Sequence, residues 1–385
     1  MPDLNSQVKK TRVCLFSTVQ LPDDVRLFHR ECKSLVNSVY DVHLVVPCEK
    51  SELRDGVQLH AIPRLRNRLI RMTIMPWIAM CKALKTKASI YHFHDPELLP
   101  VGLVMRWGLS KKVVFDMRES TARQIISKEW LPKWSRKVVS LCYRVIEHVC
   151  LKGIAVIAAN DKSVEENEPC YLVRNFPAID EELMTNAMEM DRRLEQPLLV
   201  YVGRVAKIRG ALLYVELAKR LLERGYSFRM MIIGTYEENF GQHLKAKVRE
   251  VNLQDTVTVT GHMDYREAMK LVSRAVIGLS ILEPAPNFTV CLAGKIVEYM
   301  MCGTPVLCSR FDHWRAYVEG ERTGLMVDPN NIEEVVKVCE QMLSNPDELA
   351  AMGKRGMEVV RTKYNWDTEF KVLLQCYEDL LKKRG

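Results

Sequence analysis

Short apolar runs alternate with longer stretches of helical periodicity along the whole chain. In the first half, the strand-like runs are RVCLFSTV, YDVHLVVP, SIYHFHD, KKVVFDM and GIAVIAAN. The second half repeats the theme with PLLVYVGRV, FRMMIIGT, TVTVTG, AVIGLSIL and TPVLCS. Strands that alternate with helices favour a parallel sheet covered on both faces. We therefore predict an α/β fold made of two doubly wound, Rossmann-like domains that face a cleft.

The 385 residues exceed the size of one ordinary domain, so a boundary is expected within the chain. The periodicity is interrupted in the stretch CYLVRNFPAIDEEL, at Arg174, Asn175 and Pro177. We predict a first domain over residues 1–176 and a second over residues 177–365. The amphipathic terminal helix predicted over residues 366–385 is expected to pack back on the first domain.

The positive charge of the chain is concentrated in its first half. Residues 1–176 contain 28 Lys and Arg against 18 Asp and Glu, whereas the chain as a whole has a net charge of +8. The first domain is therefore expected to face an anionic partner or a membrane surface more than the second does.

The twelve cysteines are scattered, and no pair has Cys-x-x-Cys spacing. This pattern is typical of reduced thiols in a cytosolic protein. The N-terminal stretch does not resemble a signal peptide, and no run reaches the roughly 18 apolar residues of a membrane span. We expect a cytoplasmic location, with a peripheral position on the cytoplasmic face of the inner membrane as a hypothesis.

Basic residues directly follow the first strand of the second half, in YVGRVAKIRG. The strand ends at Gly203, and Arg204 and Arg209 come next. Ligands of parallel sheets bind at the carboxyl ends of strands, and two guanidinium groups there suit a diphosphate. The alternative is a solvated basic loop.

A single carboxylate stands in the apolar helical run that begins at CLAGKIVEYMM. The amides near Cys291, Leu292 and Ala293 would open this helix and favour an anion. Glu298 lies about one turn further along, where it can accept hydrogen bonds from adjacent ribose hydroxyls. The alternative is an ordinary surface glutamate.

Two histidines, His92 and His94, lie two residues apart at a strand end in YHFHDPELLP, so both point to one face of the strand. Metal ligation is one interpretation, but no third ligand is evident from the sequence. A structural histidine and a histidine that touches a reacting group are the alternatives.

Basic residues are mixed with tryptophan in two stretches of the first half, at 64–87 and 133–137. They are Arg64, Arg66, Arg68, Arg71, Lys82, Lys85 and Lys87 around Trp77, and Lys133, Arg136 and Lys137 around Trp134. This mixture suits an anionic membrane surface. The alternative is a helix that buries its apolar face and solvates the rest. The sequence contains no recognised nucleic-acid motif, so we expect no nucleic-acid partner.

Five stretches together resemble the retaining nucleotide-sugar glycosyltransferases of family 4, of the bacterial polysaccharide-biosynthesis type, which have the GT-B fold. The stretches are DDVRLFHRECKSL, YHFHDPELLPVG, VGRVAKIRG, KIVEYMMCGTPVLCS and FDHWRAYVEGERTGLMVDP. They occur in the family's order over nearly the whole chain.

The resemblance implies a role for each matching residue. Arg204 and Arg209 would bind the donor diphosphate, and Glu298 would bind the donor ribose. His94 would lie beside the donor sugar and complete the catalytic set with the two arginines.

The resemblance also implies that Gly234 and His262 lie near the nucleotide base, and that the sugar is transferred with retained anomeric configuration. The acceptor would be a saccharide or a lipid-linked saccharide in surface polysaccharide assembly, such as lipopolysaccharide. The chain has no Asp-x-Asp pair, so we expect no metal or other cofactor, and the arginines would stabilise the leaving diphosphate.

The chain departs from the family pattern at several positions. Arg209 stands where lysine is usual, Val290 stands where a second glutamate is often found, and Arg118 stands where many relatives have histidine. The Gly-Gly of the first loop is replaced by STVQLPDD. Two alternatives remain open: a nucleotide-sugar 2-epimerase of the same fold, and a non-catalytic basic binding module.

Overall fold

The computed structural model describes residues 10–65, 67–118, 120–126, 132–160, 170–286 and 288–382, and all structural statements below refer to them. The side chains of Arg68 and Lys133 also lie outside this description.

The chain divides into two compact units. The first contains the residues up to Asn175 together with those from Trp366 onward, and the second is Phe176–Asn365. This division lies one residue before the boundary predicted from the sequence, and the terminal helix belongs to the first unit.

An eight-stranded sheet forms the centre of the first unit. Its strands are β1 (Thr11–Phe16), β2 (Tyr40–Pro47), β3 (Leu53–Arg54), β4 (Val57–Ile62), β5 (Ile90–Phe93), β6 (Lys112–Met117), β7 (Ala155–Ala158) and β8 (Cys170–Leu172). Their order is β3-β4-β2-β1-β5-β6-β7-β8, and all neighbours pair in parallel except β3 with β4. The order reverses between β1 and β5, so the loops after these two strands diverge and leave a crevice.

Helices connect the parallel strands of this unit. They are α1 (Lys33–Val36), α2 (Arg68–Thr73), α3 (Met75–Lys85), α4 (Leu99–Leu103), α5 (Thr121–Ile126) and α6 (Lys133–Cys150). A π-helical segment over Val25–Cys32 leads directly into α1, and its first turn is capped by the Asp24 carboxylate, which accepts from the Leu27 amide at 2.8 Å.

A six-stranded parallel sheet forms the centre of the second unit. Its strands are β9 (Leu198–Val202), β10 (Arg229–Ile233), β11 (Val257–Gly261), β12 (Ile277–Ser280), β13 (Val306–Ser309) and β14 (Gly324–Val327). Their order is β11-β10-β9-β12-β13-β14, which reverses between β9 and β12.

The second unit has nine α-helices within its described residues. They are α7 (Glu181–Thr185), α8 (Met190–Glu195), α9 (Ala211–Glu223), α10 (Glu238–Glu250), α11 (Tyr265–Val272), α12 (Gly294–Met301), α13 (Asp312–Val318), α14 (Ile332–Leu343) and α15 (Pro346–Thr362). Helix α16 (Trp366–Lys382) follows them and packs on the first unit.

Both sheets are buried on both faces, which explains why their strands are almost continuously apolar. Alternate residues of β1 enter different hydrophobic clusters: Val13 and Leu15 pack on one side, and Cys14 and Phe16 on the other. In β9, Tyr201 and Val200 separate in the same way. The predicted fold class, two doubly wound Rossmann-like domains, is confirmed.

Candidate functional site

The candidate residues of the second unit lie at the crevice between β9 and β12. Gly203, Arg204 and Arg209 follow β9, and the segment 281–293 follows β12, its neighbour in the sheet. Residues that are far apart in sequence therefore lie at one edge of the sheet because of the strand order.

Two glycines at this edge cannot be replaced without moving the backbone. Gly203 and Gly234 both have positive φ, and a Cβ built on Gly234 would lie 1.8 Å from the carbonyl oxygen of Gly203. The loops after β9 and β10 are thus in backbone contact, which only glycine permits. The Gly234 amide also donates to the Gly261 carbonyl at 2.8 Å. The exposed His262 therefore follows directly on the strand end that contacts Gly234.

The phenol of Tyr201 holds the loop that carries the two arginines. Its hydroxyl donates to the carbonyl of Arg204 at 2.7 Å. Burial raises the pKa of Tyr201 to about 12, and the nearby positive charge of Arg209 opposes this shift. The Arg209 guanidinium also lies over the ring of Phe288, 5.2 Å from its centroid, whereas Arg204 is exposed. Arg209 is therefore anchored, and Arg204 is open to a ligand.

Helix α12 begins directly after Cys291, Leu292 and Ala293. The carbonyl of Cys291 accepts from the Trp314 indole at 2.9 Å, and Leu292 and Ala293 pack partly on the hydrophobic core. Ala293 is the N-cap, and it supplies no side-chain hydrogen bond to the first turn. The first amides of α12 thus keep the partial positive charge that favours an anion.

The carboxylate of Glu298 lies one turn into α12, where the residue is half-buried. It acts electrostatically on the ammonium of Lys295, which precedes it by three residues on the same helix face. The sequence analysis did not single out Lys295. A lysine three residues before a glutamate in an apolar run is the signal that could have identified it.

In the first unit, His94 belongs to a fully buried charged network. Its Nε2 lies 3.2 Å from the Glu31 carboxylate, and its Nδ1 lies 3.8 Å from Asp116. Burial lowers the pKa of His94 to about 3, although Asp116 partly opposes the shift, so the ring is neutral near pH 7. His92 stacks on His94 and hydrogen-bonds through Nδ1 to the hydroxyl of Tyr377 on α16, at 2.8 Å.

Arg26 supplies the positive charge of this network. Its guanidinium donates to Asp116 at 2.7 and 3.0 Å, and its Nε lies 3.0 Å from Glu31. Burial disfavours the charged form, but the two carboxylates outweigh it and raise the pKa of Arg26. Sequence analysis missed Arg26, Glu31 and Asp116 because their proximity depends on the packing of three separate elements.

The network also bears on the metal interpretation of the histidines. Glu31, His92, His94 and Asp116 offer ligand atoms within 4.8 Å of one another, so the fold brings two carboxylates to the histidines that were not evident as ligands from the sequence. However, the Arg26 guanidinium already lies against both carboxylates. A cation there would face a fixed positive charge, so the donor set does not fit a metal ion well.

The loop after β1 is tied to the loop after β5 by Asp95. Its carboxylate accepts from the Ser17 hydroxyl at 2.7 Å, from the Thr18 amide at 2.6 Å and from the Val19 amide at 3.3 Å. The start of the stretch STVQLPDD is thus held in place by a buried carboxylate.

A cavity of about 780 Å³ opens beside His94 within the first unit. Apolar side chains supply most of its wall, among them Met72, Phe115, Met117, Val139 and Ile146. Its volume is within the usual range for a small-molecule site. The polar groups at the wall include His94, Arg71 and Arg118.

Arg118 and Arg71 each have an acidic neighbour at this cavity. Arg118 donates to Asp24 at 2.7 and 3.1 Å, and Arg71 lies 3.7 Å from Glu97. Arg71 is therefore part of the cavity wall rather than of a solvated basic face. Arg64 is exposed, whereas Arg66 and the side chains of Arg68 and Lys133 lie outside the described residues.

Helix α6 presents an apolar stripe to solvent. Trp134, Val138, Leu141 and Val145 follow one another at spacings of four, three and four residues, so they share one face, and Trp134 is 82% exposed. Further exposed apolar side chains, including Trp77, lie on α2 and α3. Among the described residues, none of the helices is long and apolar enough to span a bilayer.

Comparison with known proteins finds sequence similarity within the second unit. Residues 188–359 match the sequence profile of the family Glycosyl transferases group 1. Alpha-D-kanosaminyltransferase of Streptomyces kanamyceticus is 24% identical over 247 residues, which are 60% of this chain and 62% of that protein. The chain thus spans less than two thirds of the length of the curated relatives that it matches.

Solved structures with the same fold align over almost the whole chain. Sucrose-phosphate synthase from Thermosynechococcus elongatus superimposes with a TM-score of 0.75 at 17% identity, covering 97% of this chain and 99% of the other. Anabaena Alr3699/HepE in complex with UDP and glucose gives 0.68 at 12% identity, covering 96% and 100%. WaaG, a glycosyltransferase involved in lipopolysaccharide biosynthesis, gives 0.69 at 13% identity, covering 94% and 98%. The chain therefore has the GT-B fold of glycosyltransferases, and its residues 188–359 match Glycosyl transferases group 1.

Proposed function

We propose that the chain is a retaining glycosyltransferase, with the characters of family 4. It transfers a sugar from a nucleoside-diphosphate sugar to a saccharide or lipid-linked saccharide in surface polysaccharide assembly. The observation that carries this proposal is the set of groups at the β9–β12 crevice. These groups are Arg204, the anchored Arg209, the uncapped start of α12 and Glu298.

These groups suit the departure of a diphosphate. As the bond between the sugar and the diphosphate breaks, negative charge grows on the phosphate oxygens and positive charge on the sugar. Arg204, Arg209 and the α12 amides would stabilise the leaving group, while Glu298 holds the ribose. In this proposal His94 would lie beside the donor sugar, and Gly234 and His262 would lie near the base.

The cavity in the first unit supports an acceptor with an apolar part. Its wall is mainly apolar, and Val139 and Ile146 belong to the same helix as the exposed apolar stripe. A lipid-linked saccharide has both parts that such a cavity would accept: a polar saccharide that could lie beside His94, and a hydrocarbon chain that could contact the apolar wall.

The same helix supports docking on an anionic membrane surface. Lys137 and Arg144, both exposed and seven residues apart, lie beside the apolar stripe of α6. An apolar stripe flanked by basic residues suits the boundary between lipid headgroups and acyl chains.

Arg204→Ala tests the catalytic part of the proposal. Wild-type protein should be stabilised against heat by a nucleoside diphosphate and should transfer sugar with retained configuration, read by proton NMR of the first product. Loss of a donor to a leaving oxyanion typically costs about 2.7–4 kcal/mol of transition-state stabilisation, so kcat should fall at least about a hundredfold.

Arg274→Ala is the matched control, because Arg274 is an exposed arginine outside the crevice. Wild-type kcat in folded Arg204→Ala would refute the role of Arg204. Turnover of the donor sugar to its epimer without an acceptor would favour the 2-epimerase instead. A chain that binds no nucleoside diphosphate would favour the non-catalytic binding module.

A further inference from the structure

A buried lysine beside the loop that follows β9 lacks a hydrogen-bond acceptor within the part of the chain that the structure describes. Lys295 is only 8% exposed, and its Nζ has no hydrogen-bond acceptor among the residues that the structure describes. A buried ammonium group without an acceptor is costly, because desolvation removes its water hydrogen bonds.

The surroundings of this ammonium are more positive than negative. Nζ lies 3.9 Å from the centroid of the Tyr201 ring, the same phenol that donates to the Arg204 carbonyl. Arg209 repels it, and Glu298 is the acidic group that attracts it.

The ammonium of Lys295 lies against the backbone of Gly203. A Cβ built on Gly203 would lie 3.0 Å from Nζ of Lys295, so the ammonium is directly beside the strand end where the phosphate loop begins. The lysine is also the second residue of α12, whose first amides have no side-chain cap. Lys295, Arg209 and the helix start thus add positive potential at the same edge of the sheet.

We propose that Lys295 binds an oxygen of the donor diphosphate and is its third cationic ligand, beside Arg204 and Arg209. This inference rests on the proposed function and extends it by one residue. The ammonium contacts the aromatic face of Tyr201, a cation–π interaction that a phosphate oxygen could supplement.

The electrostatic state of the lysine is consistent with this geometry. Burial, and secondarily Arg209, lowers the pKa of Lys295 well below its usual value, and Glu298 opposes the shift. A phosphate oxygen would stabilise the charged form, so ligand binding would relieve the penalty of burial.

Lys295→Met is the informative substitution, because methionine keeps much of the length and removes the charge. Calorimetric titration with UDP, GDP and ADP identifies the diphosphate that wild type binds. Its affinity should fall about tenfold or more in the variant, the loss expected for one charge-assisted hydrogen bond. The unliganded variant should unfold at the same or a higher temperature, because a desolvated charge has been removed.

Titration with the corresponding nucleoside monophosphate separates a phosphate contact from general damage to the pocket. We expect a smaller loss for the monophosphate than for the diphosphate. Lys270→Met, at an exposed lysine of α11, should bind as wild type does. Lys295→Gln is titrated as well, so that a folded uncharged variant is available if methionine disrupts the core.

The outcomes separate this inference from the function on which it rests. Wild-type affinity for the diphosphate in either folded variant would refute the role of Lys295 and leave the proposed function intact. Equal losses for diphosphate and monophosphate would also refute it, because the effect would not follow the phosphates. Failure of wild type to bind any of the three diphosphates would refute the proposed function itself.

Discussion

At the scale of single residues, Glu298 offers a direct test of nucleotide recognition. Glu298→Gln retains the shape of the side chain but weakens its acceptance of two hydroxyl hydrogen bonds. We expect the affinity for the bound nucleoside diphosphate to fall several-fold, measured by calorimetric titration. The affinity for the 2′,3′-dideoxy analogue should stay unchanged, because that ligand lacks both hydroxyls.

Glu358→Gln, on the exposed side of α15, is the control for this experiment. If wild type binds the ribose and dideoxyribose forms equally well, Glu298 does not read the hydroxyls, and its assignment is wrong.

The buried histidines predict a pH dependence of stability. The folded-state pKa of His94 is about 3, below the usual 6.5, and that of His92 is also well below 6.5. The unfolded chain therefore binds more protons than the folded chain as the pH falls below 6.5. Between pH 6.5 and 5 the free energy of unfolding should decrease, by up to about 1.4 kcal/mol per pH unit for each histidine.

Urea denaturation of wild type and His94→Gln measures this slope. The variant should lose part of the decrease, whereas His262→Gln should retain all of it, because His262 is exposed. A wild-type stability that is constant over this range would contradict the burial of two neutral imidazoles.

At the scale of elements, helix α6 explains why the sequence stretch 133–137 mixes tryptophan with basic residues. The basic stretch was predicted to meet a membrane, but its apolar residues turn out to form a longer stripe, up to Val145. In contrast, the set Arg64, Arg66, Arg68 and Arg71 does not form one described basic face, because Arg71 lines the cavity.

The stripe predicts binding to anionic vesicles. Each basic residue that faces the headgroups contributes about 1 kcal/mol of electrostatic attraction to the membrane. Salt screens this attraction, so sedimentation with vesicles containing phosphatidylserine should decrease as the salt concentration rises. Trp134→Ser with Leu141→Ser should reduce binding further, because the apolar contact is removed.

The basic residues beside the stripe are tested by Lys137→Ser with Arg144→Ser on α6, which should also reduce binding. The control is Lys245→Ser with Arg249→Ser, which removes two exposed positive charges from α10, away from the stripe. If wild type does not sediment at low salt, or if the α6 variants bind as wild type does, the stripe does not contact membranes.

At the scale of the whole molecule, the proposed mechanism predicts independence from divalent cations. Arginine side chains and a helix start would neutralise the negative charge of the diphosphate. In the first unit, Arg26 neutralises the buried carboxylates of Glu31 and Asp116. Sugar transfer should therefore continue at an unchanged rate in EDTA. Loss of activity in EDTA with recovery on adding magnesium or manganese would require a metal-dependent mechanism instead.

The sequence by itself determined the fold class and the positions of the arginines and of Glu298. Periodicity and strand ends are local properties, so they can be read without knowing which elements become neighbours. A carboxylate in an apolar helical run is likewise visible locally, as Glu298 was.

Tertiary structure decided which of these residues lie together and which further side chains surround them. The pairing of β9 with β12 brings the arginine loop to the start of α12, and only then does Lys295 meet Tyr201. His92 meets Tyr377 because the terminal helix returns to the first unit. Such contacts depend on the packing of the whole chain, and a buried charge is recognised only when its burial and its partners are known.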